Sequence, residues 1–418
     1  MFKTSSPAQA VFISCLYLLF LASCADPPVR TGITLFTWVP AEEQSLNQKL
    51  LDRFHNLHKD IRVEFLNHAS SRAMDKLQTM MASGEAPDVI SIHGAFFPAF
   101  AAKGALLDLE PFVSGTDGID TNDIYPGLRS SSRFGGKLYS LPRYLSVYVL
   151  FYNKDLFEAE GVPLPGKDWS WDDFLNAARM ITKDTDGDGK TDRWGCAVDF
   201  WGTRVYPWIW QNGEDIFTPD LRTCVIDRPA AIEAINFLSD LQFKHKVTPR
   251  VVPDEYRNNM EMFRTGKVAM IIGGAWDIQT LKSSQFRWEI APLPGRKRKA
   301  TMIGSENYAI SSGTGSPEKA WKLLKFLLSS ESQRFMAEKL DKQPSLRSVG
   351  AEYAACPAAY DRKVLVEAVD YGVLPPNPSR WPEISHYLQD RLDLVWVGKL
   401  SVKQAMQEAC RDINLAMR

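Results

Sequence analysis

Residues 33–92 read ITLFTWVPAEEQSLNQKLLDRFHNLHKDIRVEFLNHASSRAMDKLQTMMASGEAPDVISI. Three short apolar segments, at 33–38, 61–65 and 88–92, alternate here with two segments in which Leu, Met and Phe recur every three or four residues. Apolar residues at that spacing lie on one face of an α-helix. Strands that alternate with helices predict a parallel sheet with right-handed crossovers. The stretch therefore predicts an α/β fold.

The same alternation continues along the rest of the chain. Residues 147–152 are apolar on both faces, which is typical of a buried central strand. Ser170 precedes a helical pattern that carries Asp173 at its third position, and this pair predicts a capping box. A further strand is predicted at 268–272, followed by Gly273-Gly274. Because no repeat or low-complexity linker interrupts the pattern, we expect lobes that share the chain by crossing over more than once.

Composition excludes several function classes. The chain has 418 residues, and its 49 Lys and Arg against 50 Asp and Glu give a formal charge of −1. This balance gives no electrostatic reason to expect nucleic acid or an anionic membrane surface as a partner. The length predicts two or three domains at about 150 residues each. Twelve Trp residues are a rich supply of flat apolar faces for ligand binding.

The N-terminal segment predicts a lipoprotein signal peptide. Residues 10–22 are uncharged but shorter than the ~20 apolar residues of a spanning helix, so they are typical of a secretory h-region. The segment ends in Leu21-Ala22-Ser23-Cys24, which resembles the bacterial lipobox. We expect 1–23 to be removed and Cys24 to be lipidated, which anchors the protein at the cell envelope, facing the periplasm or the exterior. A cleavable signal that merely contains Cys24 is the alternative.

Four cysteines lie beyond the signal segment, at positions 196, 224, 356 and 410. An even number of cysteines in a disulfide-permissive compartment is compatible with two disulfides. Closeness in sequence favours Cys196–Cys224 and Cys356–Cys410 among the three possible pairings. Buried free thiols are the alternative.

One acidic loop predicts a metal site. Its residues follow the front of an EF-hand loop, with carboxylates at loop positions 1, 3, 5 and 9 and a glycine at position 6. The expected ligands are Asp184, Asp186, Asp188, the Lys190 carbonyl and Asp192. Position 12 is Gly195 instead of the usual Glu, so another ligand or water must complete the shell. Because four ordered Asp would repel one another without a cation, a structural calcium ion is favoured over a solvated turn.

The order of these segments resembles the family 1 extracellular solute-binding proteins of ABC importers, in the carbohydrate-binding branch. The stretches that carry the resemblance are ITLFTWVPAEEQSLNQKLLDRFH (33–55), GEAPDVISIHG (84–94), GKLYSLPRYLSVYVLFYNKDLFEAEGVPLP (136–165), WSWDDFLNAARMIT (169–182), WIWQNGEDIF (208–217), FRTGKVAMIIGGAW (263–276) and SPEKAWKLLKFLLSSESQRFM (316–336). The resemblance implies an α/β, two-lobed periplasmic binding protein (type II-like) with crossover hinge strands. It places lobe 1 at about 31–142 plus 274–335 and lobe 2 at about 145–272 plus 336–418.

The resemblance implies a substrate-binding lipoprotein that captures a sugar or oligosaccharide between two closing lobes. The implied partners are the ABC permease subunits, and a monomer is expected. No catalytic role is expected, because the sequence has no G-x-S-x-G, H-E-x-x-H or P-loop motif. The alternatives are a sensory or scaffold binding lipoprotein of the same fold, or a secreted glycan-processing enzyme with a carboxylate pair.

A sugar site calls for aromatic platforms against the C–H faces of the ring and polar groups at its edge. In open α/β sheets these groups lie where strands end. The candidate ligand-binding residues are Trp38, Glu42, Glu43, His93, Tyr144, Trp208, Trp276, Asp277, Glu306, Arg380 and Trp381, with Trp201 and Trp210 as a further part of the far wall. His93 departs from the family resemblance, which implies Asp there. Trp276 is the preferred platform, because a Trp after Gly273-Gly274 has room to face a cleft. Trp321 and Trp396, at helical spacing, are predicted to be core.

Overall fold

The computed structural model describes residues 32–69, 72–198, 202–250, 258–376, 378 and 380–418. The predicted signal segment with Cys24, and Trp201, lie outside these residues. The strands are β1 Ile33–Thr37, β2 Val63–Asn67, β3 Val89–His93, β4 Arg133–Phe134, β5 Lys137–Leu138, β6 Ser140–Asn153, β7 Met270–Gly274, β8 Trp288–Ala291, β9 Thr301–Ile310, β10 Gln343–Pro344 and β11 Gly372–Val373.

The helices of the described residues surround these strands. They are α1 Ala41–Leu57, α2 Ala73–Ala82, α3 Phe97–Ala102, α4 Glu110–Val113, α5 Pro126–Ser131, α6 Lys154–Ala159, α7 Trp171–Ile181, α8 Tyr206–Gln211, α9 Pro229–Phe243, α10 Asn258–Arg264, α11 Ile278–Leu281, α12 Pro317–Leu328, α13 Ser330–Leu340, α14 Arg347–Ala355, α15 Lys363–Glu367, α16 Trp381–Trp396 and α17 Val402–Ala416. Short 3-10 turns lie at Thr121–Asp123, Gly202–Val205, Ala275–Asp277 and Ala368–Tyr371. None of the helices in the described ranges combines the length and apolarity that crossing a membrane requires.

The predicted β-α-β-α-β opening is confirmed. Strand β1 pairs in parallel with β2, with Ile33 opposite Val63, and with β3, with Leu35 opposite Val89. The sheet runs in the order β10-β6-β9-β3-β1-β2, with β7 and β8 also paired to β6 and β11 paired to β9. The carboxyl ends of β1 and β3 therefore meet at one edge of the sheet, where ligand sites form in such folds.

Strand β6 connects the two parts of the sheet. Its first half pairs with β9 and β10, and its second half pairs with β7 and β8. Thirteen of its 14 residues are buried, which confirms the central strand predicted at 147–152. The register against β9 shifts between Pro142 and Tyr144. Because one continuous strand carries both pairings, the backbone of β6 joins the two parts of the sheet.

Apolar side chains pack on both faces of β6. Val147, Val149 and Phe151 contact one hydrophobic cluster, while Tyr148 and Leu150 contact another. This alternation follows from the period of two residues in a strand. Trp321 and Trp396, 3% and 1% exposed, belong to these clusters, so their prediction as core residues is confirmed. The capping box of Ser170 with Asp173 is also confirmed at the start of α7.

One hydrophobic cluster contains residues of both expected lobes. Met336, Leu346 and Leu365 belong to the same cluster as Ile33, and this cluster also contains Val268, which the resemblance placed in the second lobe. The lobe boundaries therefore stay a prediction.

The pairing expected for the cysteines is wrong. All four thiols of the described residues are free, and Cys356 is exposed while the other three are buried. The Cys410 thiol lies 3.1 Å from the carbonyl oxygen of Cys224, because α17 packs across that segment. Cys196 lies against the carbonyl of Val247 instead, and burial raises the pKa of its thiol. Closeness in sequence is therefore a poor guide to closeness in this fold.

Candidate functional site

Aromatic and polar side chains meet where β1 and β3 end. Trp38 directly follows β1, and His93 is the last residue of β3. Their ring centroids lie 6.4 Å apart in an edge-to-face arrangement, and Phe96 contacts the His93 ring at 6.2 Å. The structure thus brings two of the sequence-predicted residues together at the predicted edge.

Beneath this edge lies a buried network of four charges. The Arg143 side chain on β6 is 1% exposed, and its guanidinium forms ion pairs with Glu43 and Glu306. Lys342, which precedes β10, lies 2.8 Å from the other oxygen of Glu43. The two cations and two anions balance, and this balance is what makes buried charge tolerable. Glu43 is therefore a positioning residue rather than a group that faces a ligand.

Glu306 is the acidic member of the network that remains accessible. Its side chain is 23% exposed, and its Oε2 lies 3.1 Å from Nε of Arg143. Burial acts to raise the pKa of Glu306, but the positive charges of Arg143 and Lys342 outweigh it and hold this pKa below the ordinary value. The site therefore presents an ionised carboxylate, which can only accept hydrogen bonds.

Tyr144 covers the network from β6. The Arg143 guanidinium lies over its ring at 4.5 Å, and the Lys342 ammonium lies 5.6 Å from the ring centroid. Desolvation raises the pKa of the Tyr144 hydroxyl well above its usual value, so the phenol remains protonated. The structure places this predicted residue at the site. Tyr144 is 7% exposed, so little of its side chain is accessible to a ligand.

Trp38, His93, Tyr144 and Glu306 form the first wall of the candidate site. A second wall surrounds Trp276, whose side chain is 46% exposed. Its ring contacts Tyr148 edge-to-face at 5.5 Å, and the Arg204 guanidinium lies 5.9 Å from its centroid. A Cβ at Gly274 would lie 2.3 Å from atoms of the Trp276 ring, so this glycine allows the indole to fold back beside the strand. The expectation that Gly273-Gly274 gives Trp276 an exposed position agrees with this geometry.

Sequence reasoning missed Tyr148 and Arg204. Tyr148 pairs with Gly274 across β6 and β7, and its hydroxyl lies 3.1 Å from that of Thr203. Arg204 lies over the Tyr148 ring at 5.7 Å and donates to the carbonyl of Ile272. The alternation along β6 could have indicated Tyr148 as a companion of Tyr144. No sequence signal indicated Arg204, which lies in the 3-10 turn Gly202–Val205.

The two walls are linked through β6. Tyr144 belongs to the first wall and Tyr148 to the second, so four residues of extended strand, about 13 Å, separate them. One wall supplies Trp38, His93 and Glu306, and the other supplies Trp276 with its neighbours. Flat apolar faces with a few oriented polar groups are the lining of a small-molecule site.

Several predicted site residues lie elsewhere or have structural roles. Trp208 and Trp210 are 1% and 0% exposed in the core, so their prediction as a ligand wall is wrong. Trp381, 9% exposed, packs on Tyr206. Asp277 accepts the backbone N–H of Gly274. The two remaining residues, Glu42 in the first turn of α1 and Arg380 before α16, are exposed.

The acidic loop brings three of its predicted ligands together. Single carboxylate oxygens of Asp184, Asp186 and Asp188 lie within 4.8 Å of one another. Asp192 lies outside this group, because its carboxylate accepts from the backbone N–H and hydroxyl of Thr185. At loop position 12, a Cβ on Gly195 would lie 2.0 Å from the carbonyl oxygen of Ala178. The close approach to α7 explains why this position cannot carry the usual Glu.

Comparisons with known proteins show which family and which solved structures this chain resembles. The pattern of the bacterial extracellular solute-binding proteins matches residues 39–334. A galactooligosaccharide-binding protein of Bacillus subtilis is 23% identical over 96% of this chain and 95% of its own length. A maltooligosaccharide ABC transporter solute-binding lipoprotein of Streptococcus pneumoniae is 25% identical over 82% and 81%. An ABC substrate-binding protein from Listeria monocytogenes, solved in complex with cycloalternan, has a TM-score of 0.83, 26% identity and coverage of 92% and 98%.

Fold and site together define the class as a two-lobed α/β binding protein, like the maltose-binding proteins among its structural neighbours. The chain belongs to the bacterial extracellular solute-binding protein family, because the family match covers well over half of its length.

We predict that Arg143→Met destabilises the protein by about 3 kcal/mol, since breaking a buried ion pair leaves uncompensated buried charge. Equilibrium denaturation in urea measures this loss. Arg53→Met is the matched control, because its ion pair with Glu331 has side chains 44% and 66% exposed and such pairs contribute about 0–1 kcal/mol. Equal unfolding midpoints for the two variants would contradict the role given to Arg143.

Proposed function

We propose that this protein is the substrate-binding lipoprotein of an ABC importer and that it captures a sugar or oligosaccharide between its two lobes. The observation that carries the proposal is the exposed Trp276 face, supported by Tyr148 and Arg204. A pyranose ring places its C–H patches against such a face, while its hydroxyl groups need partners such as Glu306. Relatives named for galactooligosaccharide and maltooligosaccharide binding support the same ligand class.

The transport role follows from a two-state mechanism. A sugar that contacts both walls has higher affinity for the closed arrangement, and it shifts the equilibrium by that difference alone. The closed monomer then delivers the sugar to the permease subunits of the importer. The name of the pneumococcal relative, an ABC transporter solute-binding lipoprotein, supports this partner.

The charge network favours binding over hydrolysis. A glycosidase needs one carboxyl group that is protonated at working pH and can act as the general acid. Arg143 and Lys342 hold Glu306 ionised, and Glu43 is buried in ion pairs with the same two cations. Neither carboxylate is therefore suited to donate a proton to a leaving group.

The proposed location is the cell envelope, where the lipid-anchored protein faces the periplasm or the exterior. Cys24 would carry the lipid after removal of residues 1–23, and the lipid would hold the protein close to its permease. The name lipoprotein, carried by relatives from Streptococcus pneumoniae and Streptomyces antibioticus, supports this anchor.

Trp276→Ala is expected to weaken sugar binding about 10- to 100-fold, because loss of a stacking face costs roughly 1–3 kcal/mol. Isothermal titration calorimetry with maltotriose, galactooligosaccharide and cycloalternan measures the change. The melting temperature of the sugar-free variant should stay near that of wild type, since Trp276 is 46% exposed.

Trp169→Ala is the control, because Trp169 packs beside Phe157 against the hydrophobic core. It should lower the melting temperature and leave the affinity unchanged. If Trp276→Ala binds every sugar as tightly as wild type, the indole is not the platform; if wild type binds no sugar, the proposed function is wrong.

For the acidic loop we propose a structural calcium ion bound by Asp184, Asp186, Asp188 and the Lys190 carbonyl, with Asp192 as a ligand through water. An ion that binds only the folded state stabilises it by about 2.7 kcal/mol at 100 times its Kd. Calcium should therefore raise the melting temperature, EGTA should lower it, and Asp186→Ala should abolish the difference. The exposed Asp52→Ala variant should keep it. Identical melting curves for wild type in calcium and in EGTA would contradict the proposal.

A further inference from the structure

His93 and Glu306 lie opposite each other on two paired strands, within the first wall of the site. They are direct register partners between β3 and β9, which run antiparallel. Directly opposite residues in such a pair have Cβ atoms about 4.5–5.5 Å apart and project on the same face of the sheet. Both side chains are partly exposed, so both reach the surface of the proposed sugar site.

The hydrogen bond from the neighbouring backbone assigns the tautomer of His93. The N–H of Ala95 donates to Nδ1 of His93 at 3.1 Å, so Nδ1 is the unprotonated nitrogen. Burial lowers the pKa of His93 more than the nearby Glu306 raises it, and the imidazole is therefore neutral near pH 7. The single ring proton then lies on Nε2, which is a hydrogen-bond donor.

Aromatic neighbours hold this donor in one orientation. The Trp38 and Phe96 rings contact the imidazole edge-to-face, with interplanar angles of 63° and 74°. Together with the Ala95 hydrogen bond, these contacts restrict rotation of the ring. A binding group that is already oriented loses little conformational entropy when the ligand arrives.

Glu306 supplies the opposite polarity. Its carboxylate is oriented by Nε of Arg143 and remains ionised, so it accepts and cannot donate. The carboxylates of Glu43 and Glu306 balance the charges of Arg143 and Lys342, so this network carries no excess positive charge beside Glu306. A carboxylate on the ligand would meet Glu306 as a like charge with little intervening water, and such contacts are unfavourable.

We propose that His93 and Glu306 together bind two neighbouring hydroxyl groups of an uncharged sugar ring, His93 as the donor and Glu306 as the acceptor. The inference rests on the proposed sugar-binding function and defines the ligand class as neutral sugars with a vicinal diol, in preference to uronic acids. One hydroxyl donates to Glu306, and its neighbour accepts from Nε2 of His93. The Asp that the family resemblance implies at position 93 would offer a second hydrogen-bond acceptor instead of the donor that His93 supplies.

Calorimetry on three variants with maltotriose at pH 7.5 tests the pair. His93→Leu removes the donor at similar volume and should weaken binding about 10- to 100-fold, because the hydroxyl loses its partner. His93→Gln, whose amide N–H reaches a similar position, should stay within about threefold of wild type. The exposed His386→Leu is the control and should not change the affinity.

The native protein provides a second measurement that does not depend on how a variant folds. Long-range nitrogen–proton NMR spectra of the imidazoles should show His93 as the Nε2-protonated tautomer at pH 7.5, with an Nε2 resonance that shifts when maltotriose saturates the protein. A protonated Nδ1, or wild-type affinity in His93→Leu, would contradict the roles proposed for His93 and Glu306. Neither result would contradict sugar binding itself. Failure of wild type to bind maltotriose, galactooligosaccharide or cycloalternan would overturn the proposed function and the pair together.

Discussion

The buried guanidinium of Arg143 is the constraint on which the rest of the site depends. A charge removed from water costs several kcal/mol unless it is paired and hydrogen-bonded. Arg143 meets this requirement through Glu43 on α1, Glu306 on β9 and the hydroxyl of Tyr308, which lies 2.8 Å from its Nη1. Lys342, ahead of β10, completes the charge balance. Four elements that are distant in sequence therefore come together where β6 pairs with β9. They are α1, β6, β9 and the segment before β10.

This charge network determines the chemistry of the side chains that face a ligand. Because Arg143 pairs with Glu306 from below, the carboxylate stays ionised and keeps its exposed side towards a ligand. The same strand carries Tyr144 against the network and, four residues later, Tyr148 against Trp276. The segment of β6 between the two tyrosines thus separates a polar wall from an aromatic wall. A neutral sugar, the ligand that we propose, offers apolar ring faces to one wall and neighbouring hydroxyl groups to the other.

The sequence predicted those features that depend on local patterns. The spacing of apolar residues predicted the parallel strands β1 to β3, and the Gly-Gly turn predicted the exposed Trp276. Burial and long-range pairing were not predictable in the same way. Trp208 has the composition of a ligand platform but lies in the core, and Cys224 meets Cys410 across 186 positions of sequence. A charged residue inside a strand gives no sign that its partners lie on two other elements, so the role of Arg143 emerges only from the tertiary structure.

Small-angle X-ray scattering can detect whether the two walls close on a sugar. The protein is measured without ligand and then with a sugar that calorimetry has shown to bind, at saturating concentration. We predict a smaller radius of gyration in the sugar-bound state, because binding draws the lobes together around β6. A saturated protein with an unchanged radius of gyration would contradict it.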